Sequence, residues 1–397
     1  MTGGSQTLFR PQELPCGVVL KNRIAKAAMS DSLGDGRGNP SNAQFRLYER
    51  WAEGGCALSI VGEVQGNHQY AERPGNLVLH EKSPAAAWET LARAGSGCGS
   101  RLFLQLGHAG ALAYGPISSP KGPSALSVPG LTCGELTRDE IRALPGHFAR
   151  TARLARRFGF GGVELHAAHG FLLGQFLSPL FNRRADDYGG SLLARARLAL
   201  EVLEEVRSAV GPEFPVAIKL NSSDQLEGGL TQTEALEVVK LLDASSIDLI
   251  DISGGTYFPG AKSASDSAGS GPYFLDFARK ARQVARKPLM LTGGFKSRAQ
   301  AVAAIEDGYT DIVGIARGHV LDPGLARSWQ GEKAQDPNFP RFSTNIEGGV
   351  TAWYTMRLTD LGEGRETPDT RSVEDALETF ERRDADRTST WNAHFTP

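Results

Sequence analysis

Short apolar runs alternate with amphipathic segments along most of the chain. Eight of these runs have the length of buried strands, and they cover residues 24–29, 57–64, 102–107, 162–166, 216–221, 249–253, 288–292 and 312–316. The segments between them have helical periodicity, and several begin at a Ser or Thr that can cap a helix. Strands that are apolar on both faces and separated by helices are typical of parallel sheets. The pattern therefore predicts an α/β protein with the TIM (β/α)8 barrel fold.

A doubly wound open sheet is the alternative fold, but no GxGxxG motif follows the first predicted strand. Residues 8–20 contain Pro11 and Pro15 and predict an N-terminal hairpin or lid. Two long loops rich in small residues, 108–137 and 254–272, are expected to cover a site. We predict a barrel domain over residues 1–330. Residues 331–397 are expected to form a helical extension packed on the barrel, with a disordered polar end.

Charge and cysteine content narrow the classes of partner. Lys and Arg total 43 against 45 Asp and Glu, a formal charge of -2, which predicts a small-molecule partner and neither nucleic acid nor membrane. No CxxC pair occurs among the four cysteines, so reduced thiols are expected and a zinc site is not. No secretory signal or membrane-spanning run is visible, which predicts a cytoplasmic protein. A homo-oligomer is also compatible with the sequence.

Two histidines directly follow the fourth predicted strand. His166 and His169 lie in the segment GGVELHAAHG, and two imidazoles at a strand end can donate hydrogen bonds to one substrate oxygen. Histidines three residues apart are equally compatible with surface or core positions. We expect no metal here, because no third ligand occurs at a recognisable spacing.

Other candidate residues come from the carboxyl ends of the predicted strands, where TIM barrels place their sites. Small residues at the end of the first strand allow a flat ring to approach the backbone, a glutamine amide can donate and accept along a pyrimidine-like edge, and a lysine adds positive charge. The second strand ends at Gly62 and Glu63. The predicted ring-binding residues are Ala28, Met29, Ser30, Gly62, Gln105 and Lys219.

The last two strands carry a phosphate-binding signal. Gly293 and Gly294 follow the seventh strand in TGGF, and Ala316 and Arg317 follow the eighth in IARG. Glycine amides and a helix start after these strands favour an anion, to which an arginine adds a charge-assisted hydrogen bond. One phosphate together with a ring-binding edge indicates FMN in preference to FAD or a nicotinamide dinucleotide.

Several segments resemble the old yellow enzyme family of flavin-dependent ene-reductases. They are KNRIAKAAMS, LQLGHAG and HAAHGFLLGQFLSPLFNRRADDYGGS, and the resemblance extends over residues 8–327. It implies an FMN cofactor reduced by NADPH or NADH, and an α,β-unsaturated carbonyl substrate whose oxygen is held by His166 and His169. It also implies a hydrogen bond from Ser30 to flavin O4. Lys219 stands where the family has an arginine beside flavin N1 and O2, so the charge is kept and the planar fork is lost.

The chain departs from this family at two positions in the expected substrate pocket. Phe171 replaces the tyrosine that usually delivers a proton, which leaves solvent or Tyr70, Tyr114 or Tyr257 as candidate acids. Gly107 replaces a bulky tryptophan of some members, which predicts a roomy pocket lined by Gly107, Phe171 and Tyr257. The departures keep two alternatives open. One is a flavin barrel that uses a quinone, nitro compound or oxygen as acceptor or runs as a dehydrogenase, and the other is a non-catalytic flavin-binding or ligand-binding accessory protein.

Overall fold

Eight parallel strands close into one barrel, as the apolar runs predict. The computed structural model describes residues 3–261, 271–331, 334–344, 346–366 and 370–395, and side chains from residue 6 onward. The strands are β1 (Ile24–Lys26), β2 (Leu58–Gln65), β3 (Arg101–Gly107), β4 (Gly162–Ala167), β5 (Val216–Asn221), β6 (Leu249–Ser253), β7 (Leu289–Thr292) and β8 (Ile312–Ile315). Each strand pairs with the next, and β8 pairs with β1 through Val313 and Ile24, so the sheet has no open edge within the barrel. The TIM-barrel prediction is confirmed.

A helix follows each barrel strand and covers its outer face. In order these are Asn42–Glu53, Ala85–Gly95, Arg138–Arg157, Leu192–Val210, Gln232–Asp243, Leu275–Val284 and Arg298–Glu306, with Arg317–Leu321 and Leu325–Gln330 after β8. Two short helices, Gly3–Leu8 and Leu172–Leu177, lie at the amino end and just after β4. Four of the barrel helices begin with a complete capping box, at Ser41, Thr137, Thr231 and Ser297. The Ser and Thr signals in the sequence therefore mark true helix starts.

The N-terminal hairpin closes the amino end of the barrel. Gln12–Glu13 pair with Val19–Leu20, and the buried side chains of Leu14 and Leu20 pack against Leu58 and Leu249, which lie at the starts of their strands. Burial of these apolar side chains removes the bottom of the barrel from water. The predicted lid is thus a plug at the end opposite to the carboxyl ends of the strands.

The two long loops differ in how much of them the structure describes. The loop after β3 contains a small sheet formed by Lys121–Gly122, Leu126–Val128 and Leu131–Glu135. In the loop after β6, residues 262–270 lie outside the described residues. Another short strand, Leu77–Val78, pairs with the end of β2. The short strands of these described loop segments therefore lie near the carboxyl ends of β2 and β3.

The C-terminal extension packs on its own barrel through the helices Gly349–Gly362 and Val373–Phe395. Trp391 is 1% exposed and contacts the loops after β2 and β3, while the Arg387 guanidinium donates a hydrogen bond to the Ser32 carbonyl in the loop after β1. The disordered end predicted from the sequence is wrong as far as Phe395, because burial of the Trp391 indole fixes the last turns of this helix. None of the described helices is long and apolar enough to cross a membrane.

Candidate active site

A buried charged network fills the barrel above its apolar bottom. The Lys219 ammonium is hydrogen-bonded to the Asp251 carboxylate and lies 3.8 Å from Glu164 Oε1. Glu164 Oε1 accepts a hydrogen bond of 2.8 Å from Gln105 Nε2, and Asp251 Oδ1 accepts one of 2.6 Å from Thr292 Oγ1. Burial raises the pKa of Glu164 and lowers the pKa of Lys219, and the Coulomb attraction between the two groups opposes both shifts. The network fixes Gln105 and Lys219 beside each other under the barrel mouth.

The residues predicted to receive the edge of a ring lie together above this network. Gly62 forms a parallel bridge with Ser30, and a Cβ atom at position 62 would lie 2.9 Å from Met29 N. The same atom would lie 3.2 Å from both Ala28 Cβ and Gln105 Oε1. Ala28, Met29 and Ser30 are half-buried. The absence of a side chain at Gly62 therefore lets the end of β1 and the Gln105 amide approach β2 closely, which brings the predicted ring-binding residues together.

The predicted phosphate-binding residues lie at the adjoining ends of β7 and β8. Gly293 and Gly294 have φ angles of 124° and 82°, and a Cβ at Gly294 would collide with the Gly271 carbonyl oxygen. Only glycine adopts this backbone without strain. Ala316 immediately precedes Arg317, and the Arg317 guanidinium lies 5.1 Å from the ring centroid of Tyr354 in the C-terminal extension. Half-buried glycine amides beside an arginine suit an anion.

The two predicted catalytic histidines face each other at the end of β4. Their ring centroids are 5.2 Å apart, with 78° between the ring planes. His169 has a φ of 59°, and it is fixed by a 3.0 Å hydrogen bond from its backbone N–H to Asn221 Oδ1 and a 2.9 Å contact between its Nε2 and Ser253 Oγ. His166 Nδ1 accepts a hydrogen bond of 3.4 Å from Ala168 N–H, which assigns the proton of a neutral His166 ring to Nε2. Asn221 and Ser253 were not predicted from the sequence.

Both imidazoles are neutral at neutral pH. Burial, and then the positive charge of Lys219, lower the pKa of His169 to about 3. Burial also lowers the pKa of His166 well below its ordinary value, with smaller contributions from His169 and Lys219. Each ring therefore carries one N–H donor and one acceptor. Such a pair can donate to a substrate oxygen without bringing a full positive charge into the site.

Phe171 and Tyr257 form an aromatic wall beside the histidines. The Phe171 ring stacks on His166 at 4.4 Å, and Tyr257 lies 6.3 Å from Phe171 and 6.4 Å from His169, between ring centroids. Phe171 is 3% exposed, whereas Tyr257 is 62% exposed. Of the other two candidate acids, Tyr70 stacks on His108 and Tyr114 packs under Arg73.

The roomy pocket expected from Gly107 is occupied by a side chain of the neighbouring strand. A Cβ at position 107 would overlap Glu63 Oε2 and would lie 3.3 Å from Gln65 Nε2. Glu63 is 5% exposed, and its Oε2 accepts a 2.6 Å hydrogen bond from Gln65 Nε2. The missing side chain at Gly107 therefore makes room for a carboxyl group, whereas the sequence indicates Glu63 only as the end of a strand.

Acidic residues within apolar strands are the signal that could have found these groups. Glu63, Glu164 and Asp251 each interrupt a run of aliphatic residues, and all three are at least 95% buried. An isolated carboxylate is rarely buried without a partner or a proton. In the described part of the chain, no group of three or more His, Cys, Asp or Glu side chains could hold a metal ion.

Comparisons with known proteins identify the family of this chain. A family model described as "NADH:flavin oxidoreductase / NADH oxidase family" matches residues 7–336. The NADH-dependent flavin oxidoreductase iliE of Hypocrea jecorina (strain QM6a) is 33% identical over 383 residues, which cover 86% of this chain and 95% of that protein. The iliE protein of Neonectria sp. (strain DH2) is 35% identical over 384 residues, which cover 88% of this chain.

The Neonectria protein is longer than this chain, and the match covers half (50%) of it. Among solved structures, morphinone reductase in complex with tetrahydroNAD superposes with a TM-score of 0.72 at 27% identity, covering 87% of this chain and 96% of that one. The family match extends over the whole barrel, including every strand end described above. We conclude that the chain belongs to the NADH:flavin oxidoreductase / NADH oxidase family, the old yellow enzyme-like flavoproteins that its motifs resemble.

Proposed function

We propose that this protein is an FMN-dependent NAD(P)H oxidoreductase that reduces the activated C=C bond of α,β-unsaturated carbonyl compounds. The observation that carries the proposal is the neutral pair His166 and His169, held beside an aromatic wall at the carboxyl ends of the barrel strands. Two neutral N–H donors suit a carbonyl oxygen that gains negative charge during reaction. The family membership supports oxidoreductase chemistry with a flavin.

The cofactor would be held at two places on the barrel mouth. Its ring would lie against Ala28, Met29, Ser30, Gly62 and Gln105, which the missing side chain at Gly62 allows to come together. Lys219 would place a positive charge beneath it. A phosphate would lie on the backbone of Gly293, Gly294 and Ala316 near Arg317, and a site with one such cradle suits FMN. When bound, the flavin supplies the hydride that the substrate receives.

The remaining steps belong to the side chains of the site. His166 Nε2 donates to the substrate carbonyl oxygen and draws electron density away from the C=C bond. Asn221 and Ser253 hold His169 in a fixed orientation, so little reorganisation is needed when the substrate binds. Phe171 and Tyr257 provide apolar surface for the rest of the substrate, and the buried Phe171 ring covers His166.

An anaerobic titration followed in the visible spectrum tests this function. The purified protein is expected to show a flavin spectrum that bleaches with NADH or NADPH and returns when a cyclic enone is added. Bleaching without return would exclude alkene reduction while keeping the flavin. A colourless protein that cannot be reconstituted with FMN would refute the cofactor assignment.

The second candidate function keeps the flavin and changes the acceptor. Phe171 has no exchangeable proton, which favours acceptors that need no proton on carbon, such as a quinone, a nitro compound or oxygen, or the reverse direction as a dehydrogenase. Reoxidation of the reduced protein by a quinone but by no enone would favour this second function. A non-catalytic binding protein would fail to complete the cycle with any acceptor.

A further inference from the structure

We propose that Glu63 is the acid that delivers the proton to the substrate α-carbon, in the role that Phe171 cannot perform. The proposal rests on the proposed alkene reduction. A bound flavin would supply the hydride for the alkene β-carbon, and the O–H bond of Glu63 would break as the α-carbon gains its hydrogen. The carboxylate that remains takes a proton from water.

The position of Glu63 follows from the alternation of side chains along β3. Leu104 and Leu106 pack in the outer core between strands and helices, whereas Phe103 packs inside the barrel. Residues 105 and 107 therefore face the inside as well. The Glu63 carboxyl lies against the inner side of Gly107, directly above the layer that contains Gln105. It is at the mouth of the barrel, on the side where the ring edge is expected.

Two local features hold the carboxyl in this place. The pairing of β2 with β3 shifts between Val61 and Val64, so Glu63 has no partner residue on β3. Gln65 does pair with Gly107, and its Nε2 donates the 2.6 Å hydrogen bond to Glu63 Oε2. A side chain at position 107 would take the same space. The combination of Gly107 and Glu63 thus places an acid from β2 where a β3 side chain would otherwise project.

The surroundings of Glu63 favour its protonated form. No Lys, Arg or His side chain within the described residues forms an ion pair with it. Burial, and then repulsion from the Glu72 carboxylate, raise the pKa of Glu63 well above its ordinary value, while the Gln65 hydrogen bond acts in the opposite direction. A carboxylic acid in such a setting can donate a proton near pH 7.

A small cavity next to Gln65 and Gly107 offers a place for the water that supplies the replacement proton. It lies between the ends of β2 and β3 and the helix Arg138–Arg157, and its wall is part apolar (Leu106, Leu144 and Phe148) and part polar (Gln65, His108 and Thr151). Gln65 Oε1 and His108 Nε2 are buried and lack a hydrogen-bond partner among the described residues. His108 Nδ1 accepts from Gly110 N–H, so Nε2 of the neutral ring carries the proton. An unpaired donor and an unpaired acceptor in the wall of one cavity suit a bound water molecule.

Tyr257 is the rival donor, because its ring lies 6.3 Å from Phe171. Its side chain is 62% exposed, so water competes for its hydroxyl group, whereas Glu63 is fixed by Gln65 and almost fully buried. Glu63 also lies on a barrel strand and Tyr257 on a loop, and strands place reactive groups more exactly than loops do. Substitution of each residue separates the two candidates.

Stopped-flow measurement of the two half-reactions in the flavin-loaded protein tests the proposal. Glu63→Gln keeps the shape and the Gln65 contact and removes the acid. We expect flavin content and the rate of reduction by NADH to change less than about twofold, and reoxidation by 2-cyclohexenone to slow by about 100-fold or more, the usual contribution of a general acid. Reoxidation by ferricyanide, which takes electrons and no proton to carbon, is expected to keep its rate.

Two further readouts respond to the acid itself. The wild-type rate with the enone is expected to fall as pH rises through the pKa of Glu63, and this dependence should disappear in Glu63→Gln. Glu72→Gln is the matched control, because removing a neighbouring negative charge should move the fall to lower pH without abolishing it. Infrared spectra at neutral pH should contain a protonated carboxylic acid band that Glu63→Gln lacks.

The outcomes separate failure of this proposal from failure of the proposed function. Tyr257→Phe with a 100-fold loss and Glu63→Gln with none would overturn the assignment to Glu63 and leave alkene reduction in place. Absence of the infrared difference would also overturn it, since Glu63 would then be ionised. A wild-type protein that ferricyanide reoxidises and no enone does would overturn both.

Discussion

Removal of the Lys219 charge is expected to destabilise the barrel in a manner that depends on pH. The ammonium is 1% exposed, and it is the cation between two carboxyl groups, those of Asp251 and Glu164, which are both fully buried. At the 3.8 Å separation from Glu164 and an effective dielectric constant of about 20, the attraction between two unit charges is about 4 kcal/mol. Removing one partner of a buried ion pair typically lowers the free energy of unfolding by about 3–5 kcal/mol, because the other charge stays buried without a partner. We therefore expect a loss of about 3–5 kcal/mol for Lys219→Met.

The pH dependence follows from the proton that the variant must take up. Without the ammonium, one buried carboxyl keeps a proton in the folded state that it loses in the unfolded state above its ordinary pKa of about 4. Stability then falls by about 1.4 kcal/mol for each pH unit that the solution rises while this proton is held. From pH 5.5 to pH 7.5 the free energy of unfolding should therefore fall by up to about 2.7 kcal/mol more in the variant than in the wild type.

Urea unfolding of three proteins at both pH values measures this effect. The matched control is Lys219→Met with Asp251→Asn and Glu164→Gln, which also lacks the lysine and removes both carboxyl groups. Because both variants lack Lys219, any change in flavin content affects them alike, and the triple variant should lose most of the pH dependence. A Lys219→Met protein whose stability differs from wild type by the same amount at both pH values would refute the reasoning.

Three further changes test other parts of the site. Arg317→Ala removes the charge at the ends of β7 and β8 and is expected to lower FMN occupancy after dialysis; equal flavin absorbance per protein would count against a phosphate there. Phe171→Tyr adds a hydroxyl to the ring that stacks on His166, and it should raise alkene turnover at constant flavin content and recover part of the loss in Glu63→Gln; unchanged turnover in both backgrounds would mean that proton delivery is not limiting. Trp391→Ala should lower stability by about 3–5 kcal/mol, as large-to-small changes at buried aromatic sites do, and a thermal midpoint equal to wild type would show that the C-terminal helix contributes nothing.

The barrel could be predicted because each of its strands and helices is indicated by residues that are close together in the sequence. Each strand is a short apolar run, and each capped helix begins at a Ser or Thr that is visible in the sequence. The meeting of Met29, Gly62 and Gln105 could be predicted as well, because a closed parallel barrel brings all strand ends to one face. Knowledge of the fold class alone is enough for that step.

What could not be predicted depends on contacts between distant parts of the chain. The end of the chain is polar, and the burial of Trp391 is set by loops whose residues lie about three hundred positions earlier, such as Val78. The filling of the space at Gly107 depends on an irregular stretch of β2, which no periodicity reveals. An acidic residue inside an apolar strand indicates only that its carboxyl group needs a cation or a proton. The fold decides which of the two it has: Asp251 pairs with Lys219, and we propose that Glu63 keeps a proton.

Closure of the barrel between β8 and β1 also determines when the candidate site can form during folding. The closing contact joins Val313 to Ile24, so the chain must bring together residues almost three hundred positions apart before the cylinder exists. Contacts of such large sequence separation form late, because the entropy of closing a long loop is lost before the pairing stabilises it. Ala27, which follows β1, comes beside Gly314 on β8 only once this contact is made. A flavin can therefore meet its complete set of strand ends only after closure, and cofactor loading is expected to follow folding of the barrel.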